Sequence, residues 1–72
     1  MRGLEYTVVI EADEEGQGFT ISVPALPGCI TQGETLDEAL EMARDAIRLY
    51  VSVLEDRGEP IPDDVRTQKI AA

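Results

Sequence analysis

The sequence predicts an α+β fold, a three-stranded antiparallel sheet packed by one long helix. Residues 4–12 and 19–23 alternate apolar and polar with the strand period of two, and a glycine-bearing polar stretch separates them. From Leu36 to Leu54 the apolar positions recur instead with the 3.6-residue period of an amphipathic helix. The 72 residues suffice for one domain, 1–72. It divides into a hairpin and third strand (1–34), a helix (35–57) and an extended tail (58–72).

In the first strand Leu4, Tyr6, Val8, Ile10 and Ala12 share one face, predicted to be core. Asp13-Glu14-Glu15-Gly16-Gln17-Gly18 suits a hairpin connection, and Phe19, Ile21 and Val23 then form the inward face of a second strand. Pro24-Ala25-Leu26-Pro27-Gly28 breaks the pattern. Two prolines remove two backbone donors and hold the preceding residues extended, which predicts a rigid, shaped loop. A short third strand, Cys29–Gln32, stops at Gly33. Thr35 has the chemistry of an N-cap, with Glu38 completing a capping box, while Gly58 and Pro60 end the helix near Arg57. Val65–Ile70 is a candidate for a short last strand.

On the helix, Leu36, Ala39, Leu40, Ala43, Ile47, Tyr50, Val51 and Leu54 fall in one stripe expected to face the sheet. A flanking group, Met42, Ala46, Leu49 and Val53, widens this apolar face. Two readings stand: the sheet curls round to cover the flank as core, or the flank is an oligomer surface.

Fifteen acidic against six basic residues give a net charge of −9. Such a chain does not hold a phosphate backbone by counterion release, so direct nucleic-acid binding is not expected. Acidity by itself serves solubility, and it also steers encounter with a basic protein. With one cysteine and no histidine, neither an internal disulfide nor the usual zinc-ligand sets are available, and a core of this size is marginal. A partner chain or self-association is the remaining source of stability. No apolar run is long enough to cross a bilayer, and Met1-Arg2-Gly3-Leu4-Glu5 does not resemble a signal peptide. A cytoplasmic location with Cys29 reduced is therefore expected.

No enzymatic reading gathers support. The commonest general base is missing, Ser22 and Ser52 have no activating set, and Cys29 reads as a small core residue. Glu11, Asp13, Glu14 and Glu15 crowd one turn. Carboxylates in that number suit Mg²⁺, yet nothing in the apolar inner face of the first strand fixes them round a point. Gly16-Gln17-Gly18 joins two strands, which is not the geometry of a phosphate cradle. Neither metal nor cofactor is expected.

Several segments together carry a resemblance. Tyr6-Thr7-Val8-Val9-Ile10-Glu11, Gly18-Phe19-Thr20-Ile21-Ser22-Val23-Pro24, Leu26-Pro27-Gly28-Cys29 and Gln32-Gly33-Glu34-Thr35-Leu36-Asp37-Glu38-Ala39-Leu40 resemble the N-terminal domain of HicB antitoxins, as does Gly58-Glu59-Pro60-Ile61-Pro62. The resemblance covers about residues 5–62. It implies a partial ribonuclease-H-like β-β-β-α-(β) fold without nuclease activity. It further implies a partner, a small basic HicA-type mRNA interferase toxin neutralised by occlusion, and self-association as a dimer or tetramer. The acidic hairpin residues Glu11, Asp13, Glu14 and Glu15, with Glu34, are then the candidate toxin contacts. Many HicB antitoxins carry a C-terminal helix-turn-helix or ribbon-helix-helix domain. The 72 residues contain none, so autoregulation by DNA binding is not expected. The alternative reading is a stand-alone homo-oligomeric domain with a structural or ligand-binding role.

Overall fold

The computed structural model describes residues 4–72; the N-terminal residues read above for a signal peptide lie partly outside them. Three strands, β1 (Val9–Ala12), β2 (Phe19–Ser22) and β3 (Ile30–Gly33), precede one helix, α1 (Leu36–Asp56). The strands pair in the order β1-β2-β3, both pairs antiparallel. The predicted α+β architecture is the one observed.

The register places Ile10 opposite Ile21 and Ile21 opposite Thr31, so these three share the helix-facing side. Ile21, Ala39 and Ala43 form one buried cluster, with Val8, Phe19 and Leu40 packed against it. Val23, Leu26 and Cys29 form a second, joined by Tyr6, Val8, Ala46, Ile47 and Tyr50. Helix α1 lies across β3 and β2 and not across β1.

That placement corrects the predicted inner face of the first strand. Tyr6 and Val8 are half-buried, but Leu4, Ile10 and Ala12 are exposed, Ile10 by 45 %. The ladder begins at Val9, not Leu4. Alternation correctly groups these residues on one face; the helix leaves part of that face uncovered. Leu36, assigned to the buried stripe, is likewise exposed at the first turn.

Hydrogen bonds as well as prolines shape the proline loop. Val23 N–H donates to the Cys29 carbonyl (3.0 Å), Leu26 N–H to that of Val23 (2.9 Å) and Cys29 N–H to that of Leu26 (3.0 Å). This folded-back chain drives Leu26 into the core as one of the two largest fully buried side chains. Tyr50 Oη clamps the loop from the helix by donating to the Pro27 carbonyl at 3.0 Å.

Both helix ends follow from local chemistry. Thr35 is the N-cap, its Oγ1 accepting from Glu38 N–H at 3.1 Å. The Glu38 carboxylate reaches one residue further back than a capping box requires, accepting from Glu34 N–H at 3.1 Å. At the other end Gly58 (φ +69°) sits in the left-handed region. Glu59 N–H bonds the Leu54 carbonyl and Gly58 N–H that of Glu55, the paired bonds of a Schellman motif. From Glu59 to Ala72 the chain runs without turn or bend, and Val65–Ile70 makes no ladder. The candidate last strand is thus unpaired.

Candidate partner-binding site

The hairpin and the β3–α1 junction meet at one end of the sheet. Asp13 organises the turn: its N–H donates to the Gly18 carbonyl (3.0 Å), and its Oδ1 accepts from Glu15 N–H (3.0 Å). This Asx-type bond holds Glu14 and Glu15 outward. Gly18 (φ +112°) lies against the Gly33 carbonyl, where a Cβ would come within 3.0 Å, so the hairpin base packs directly on the end of β3. Glu34 follows Gly33 immediately.

As a result all five predicted contact residues, Glu11, Asp13, Glu14, Glu15 and Glu34, line a single open depression of roughly 650 Å³. Glu38 joins them, a residue that sequence reasoning used only as a helix cap. Its place was legible in one respect: a carboxylate at the third helical position turns back toward the preceding residues. Gln17, Thr20 and Gln32 add neutral polar groups to the wall. Every acid here is exposed. Among the described residues no group of three or more acidic or cysteine side chains converges as a metal site. The depression is open, and its carboxylates come from β1, the hairpin, the β3–α1 junction and the first turn of the helix.

The helix flank forms a separate surface. Leu49 is 66 % exposed and Met42 50 %, Val53 is exposed beside them, and Ile30 of β3 continues the strip at 61 %. Ala46 is the exception, half-buried against Val23, Leu26 and Cys29. The sheet does not curl round this flank. Cys29 lies beneath it, buried, and desolvation pushes its thiol above the usual cysteine range, away from the reactive thiolate.

On the opposite side, Leu4, Tyr6 and Val8 face Leu40, Ala43, Ile47 and Val51 across an open groove that Ile61 enters. Tyr6 Oη donates to the Pro62 carbonyl (2.6 Å), and Thr7 N–H and Oγ1 donate to the two Asp64 carboxylate oxygens (2.8 and 2.7 Å). These bonds hold the Asp64 carboxyl below the usual carboxylate range.

A three-stranded sheet under a single helix, with an acid-lined end and an uncovered apolar flank, defines a small βββα domain. The family described as HicB_like antitoxin of bacterial toxin-antitoxin system matches residues 6–72. The chain belongs to this family. It is 49 % identical over 61 residues to a UPF0150 protein of Thermoplasma acidophilum, covering 85 % of this chain and 87 % of that one. It is 37 % identical over 59 residues to a UPF0150 protein of Synechocystis, covering 82 % and 73 %. To Antitoxin HicB 1 of Photorhabdus laumondii it is 40 % identical over 62 residues, 86 % of this chain but 39 % of that protein. No helix among the described residues is long and apolar enough to cross a membrane.

Proposed function

We propose that this chain is a non-catalytic antitoxin that binds and occludes a small basic HicA-type mRNA interferase toxin through its acid-lined end. The observation that carries this reading is convergence. Carboxylates from the end of β1, the hairpin and the β3–α1 junction line one depression, although they are spread from Glu11 to Glu38 in sequence. A field of one sign on a fixed framework accelerates encounter with a basic protein and orients it. The same field repels nucleic acid, so the chain acts on RNA cleavage only by covering the toxin that performs it.

The test is binding of purified HicA-type toxin to the wild-type chain and to Glu11→Lys/Glu34→Lys. The double reversal is expected to slow association at low salt by about tenfold or more, in line with the range that electrostatic steering spans, and to spare the far-UV helix signal. Equal association rates, or no complex at low salt, would sink the proposal.

A second reading has its own support in the exposed strip of Ile30, Met42, Leu49 and Val53. A continuous apolar strip on a small soluble domain suits burial against a second copy. The chain then acts as a homo-oligomer, with or without a toxin. Leu49→Glu is expected to lower the mass measured by light scattering while the helix signal persists; an unchanged mass refutes self-association through this flank.

A further inference from the structure

We propose that the free edge of β3 takes an extended segment of a basic protein as an added antiparallel strand, its lysine or arginine end lying at Glu34 and Glu38. Only the choice of a basic partner rests on the reading above; the strand addition goes beyond it. Strand β3 has a neighbour on one side only. Val23 N–H donates to the Cys29 carbonyl opposite it, so by antiparallel alternation the backbones of Cys29, Thr31 and Gly33 face β2. Ile30 and Gln32 then each turn N–H and C=O outward, an open template for another strand. No backbone hydrogen bond from loop or helix reaches them among the described residues.

Two further features lie along the same edge. Helix α1 packs against β3 and carries its uncovered apolar flank out on this side. Leu49 and Val53, with Ala46 and Tyr50, face Cys29 and Ile30 across an open notch of roughly 500 Å³. A strand added beside Ile30 directs alternate side chains toward the helix, and an apolar one enters that notch. At the other end Gln32, Glu34 and Glu38 belong to the acid-lined depression, so the edge runs from an apolar notch into a field of carboxylates. A strand antiparallel to β3 has its N-terminal end beside Glu34, where lysine or arginine is matched. Main-chain pairing supplies affinity without regard to sequence; the notch and the acids select a segment both apolar and basic. Charge sets a second copy of this chain aside as the occupant. Strand β3 contains no basic residue to place beside Glu34, and each copy brings a net charge of −9.

Amide hydrogen exchange on the full chain, titrated with the synthetic peptide acetyl-KKTVTVT-amide, tests the edge. Binding is expected to slow exchange of the Ile30 and Gln32 amides about fivefold, with the inward Thr31 amide and the Ile10 and Ala12 amides of β1 unchanged. Gln32→Pro is compatible with an edge strand whose lost N–H points to solvent, and is expected to weaken binding about tenfold. The reversed peptide, acetyl-TVTVTKK-amide, is expected to bind several-fold more weakly. No binding at millimolar peptide overturns the proposal, as does binding that protects Ile10 and Ala12 instead. Equal binding by Gln32→Pro overturns strand addition; if that variant does not fold, unprotected Ile30 and Gln32 amides in the wild-type complex overturn it. Equal binding of the two peptides overturns the role of Glu34 and Glu38. Protection in the peptide-free chain that rises with protein concentration also overturns the proposal, because a second copy then holds the edge. None of these results bears on the rate at which Glu11→Lys/Glu34→Lys associates with toxin, so the two readings fail separately.

Discussion

At the β3 side of the sheet the helix approaches so closely that a Cβ on Gly33 would stand 2.5 Å from the Ala39 backbone nitrogen. At the β1 side no helix covers the strand, and Ile10 lies open although it shares a face with the fully buried Ile21. The contrast separates two tasks. Packing of β2, β3 and the proline loop against α1 buries the core, while β1 and the hairpin stay largely uncovered. A 72-residue domain has little stability to spare, so concentrating it in one place leaves the remaining surface free to serve binding.

Substitutions matched across the two sides test this division. Ile21→Ala is expected to cost about 2–5 kcal/mol, as for buried branched side chains, and Ile10→Ala less than about 1 kcal/mol. Urea denaturation of both variants measures the difference, and comparable losses would remove the asymmetry. Gly33→Ala is expected to cost about 1–3 kcal/mol, since backbone and not a flexible side chain obstructs the new methyl group. A neutral result would place the helix further from β3.

Thr31 sharpens the comparison from the opposite direction. Its Oγ1 is buried beside the helix and has no hydrogen-bond partner among the described residues. Thr31→Val keeps the shape and removes the unpaired hydroxyl, and is expected to raise stability by about 1 kcal/mol. A loss on urea titration would mean that the hydroxyl is bonded in solution.

The smallest effect belongs to the tail. Because the folded-state Asp64 carboxyl lies below its ordinary range, its contribution is present above the unfolded pKa of about 3.9. It is lost as pH falls through the lower folded-state value. The stability difference between wild type and Asp64→Asn should therefore shrink below about pH 4. A difference that stays constant to lower pH would mean that the Thr7–Asp64 bonds do not form.

Much of the candidate site is legible in the sequence alone. Glu11, Asp13, Glu14, Glu15 and Glu34 could be picked out by charge and spacing because the hairpin and the β3–α1 junction announce themselves through glycine, Asp13 and Thr35. Their meeting in one depression was not legible, because it depends on strand order and on the close approach of Gly18 to Gly33. Leu26 gave no signal of its depth. It stands between prolines in a stretch without periodicity, and only the hydrogen bonds that fold the loop back turn it inward.

The amino-acid sequence by itself determined the helix, its caps and the inward face of β2, because turn chemistry, capping and periodicity act over a few residues. Tertiary structure alone decided which part of the β1 face is covered, where Leu26 lies, and that Glu38 joins the hairpin acids. Those outcomes depend on how a rigid helix settles on a short sheet, a matter of packing between residues far apart in the chain.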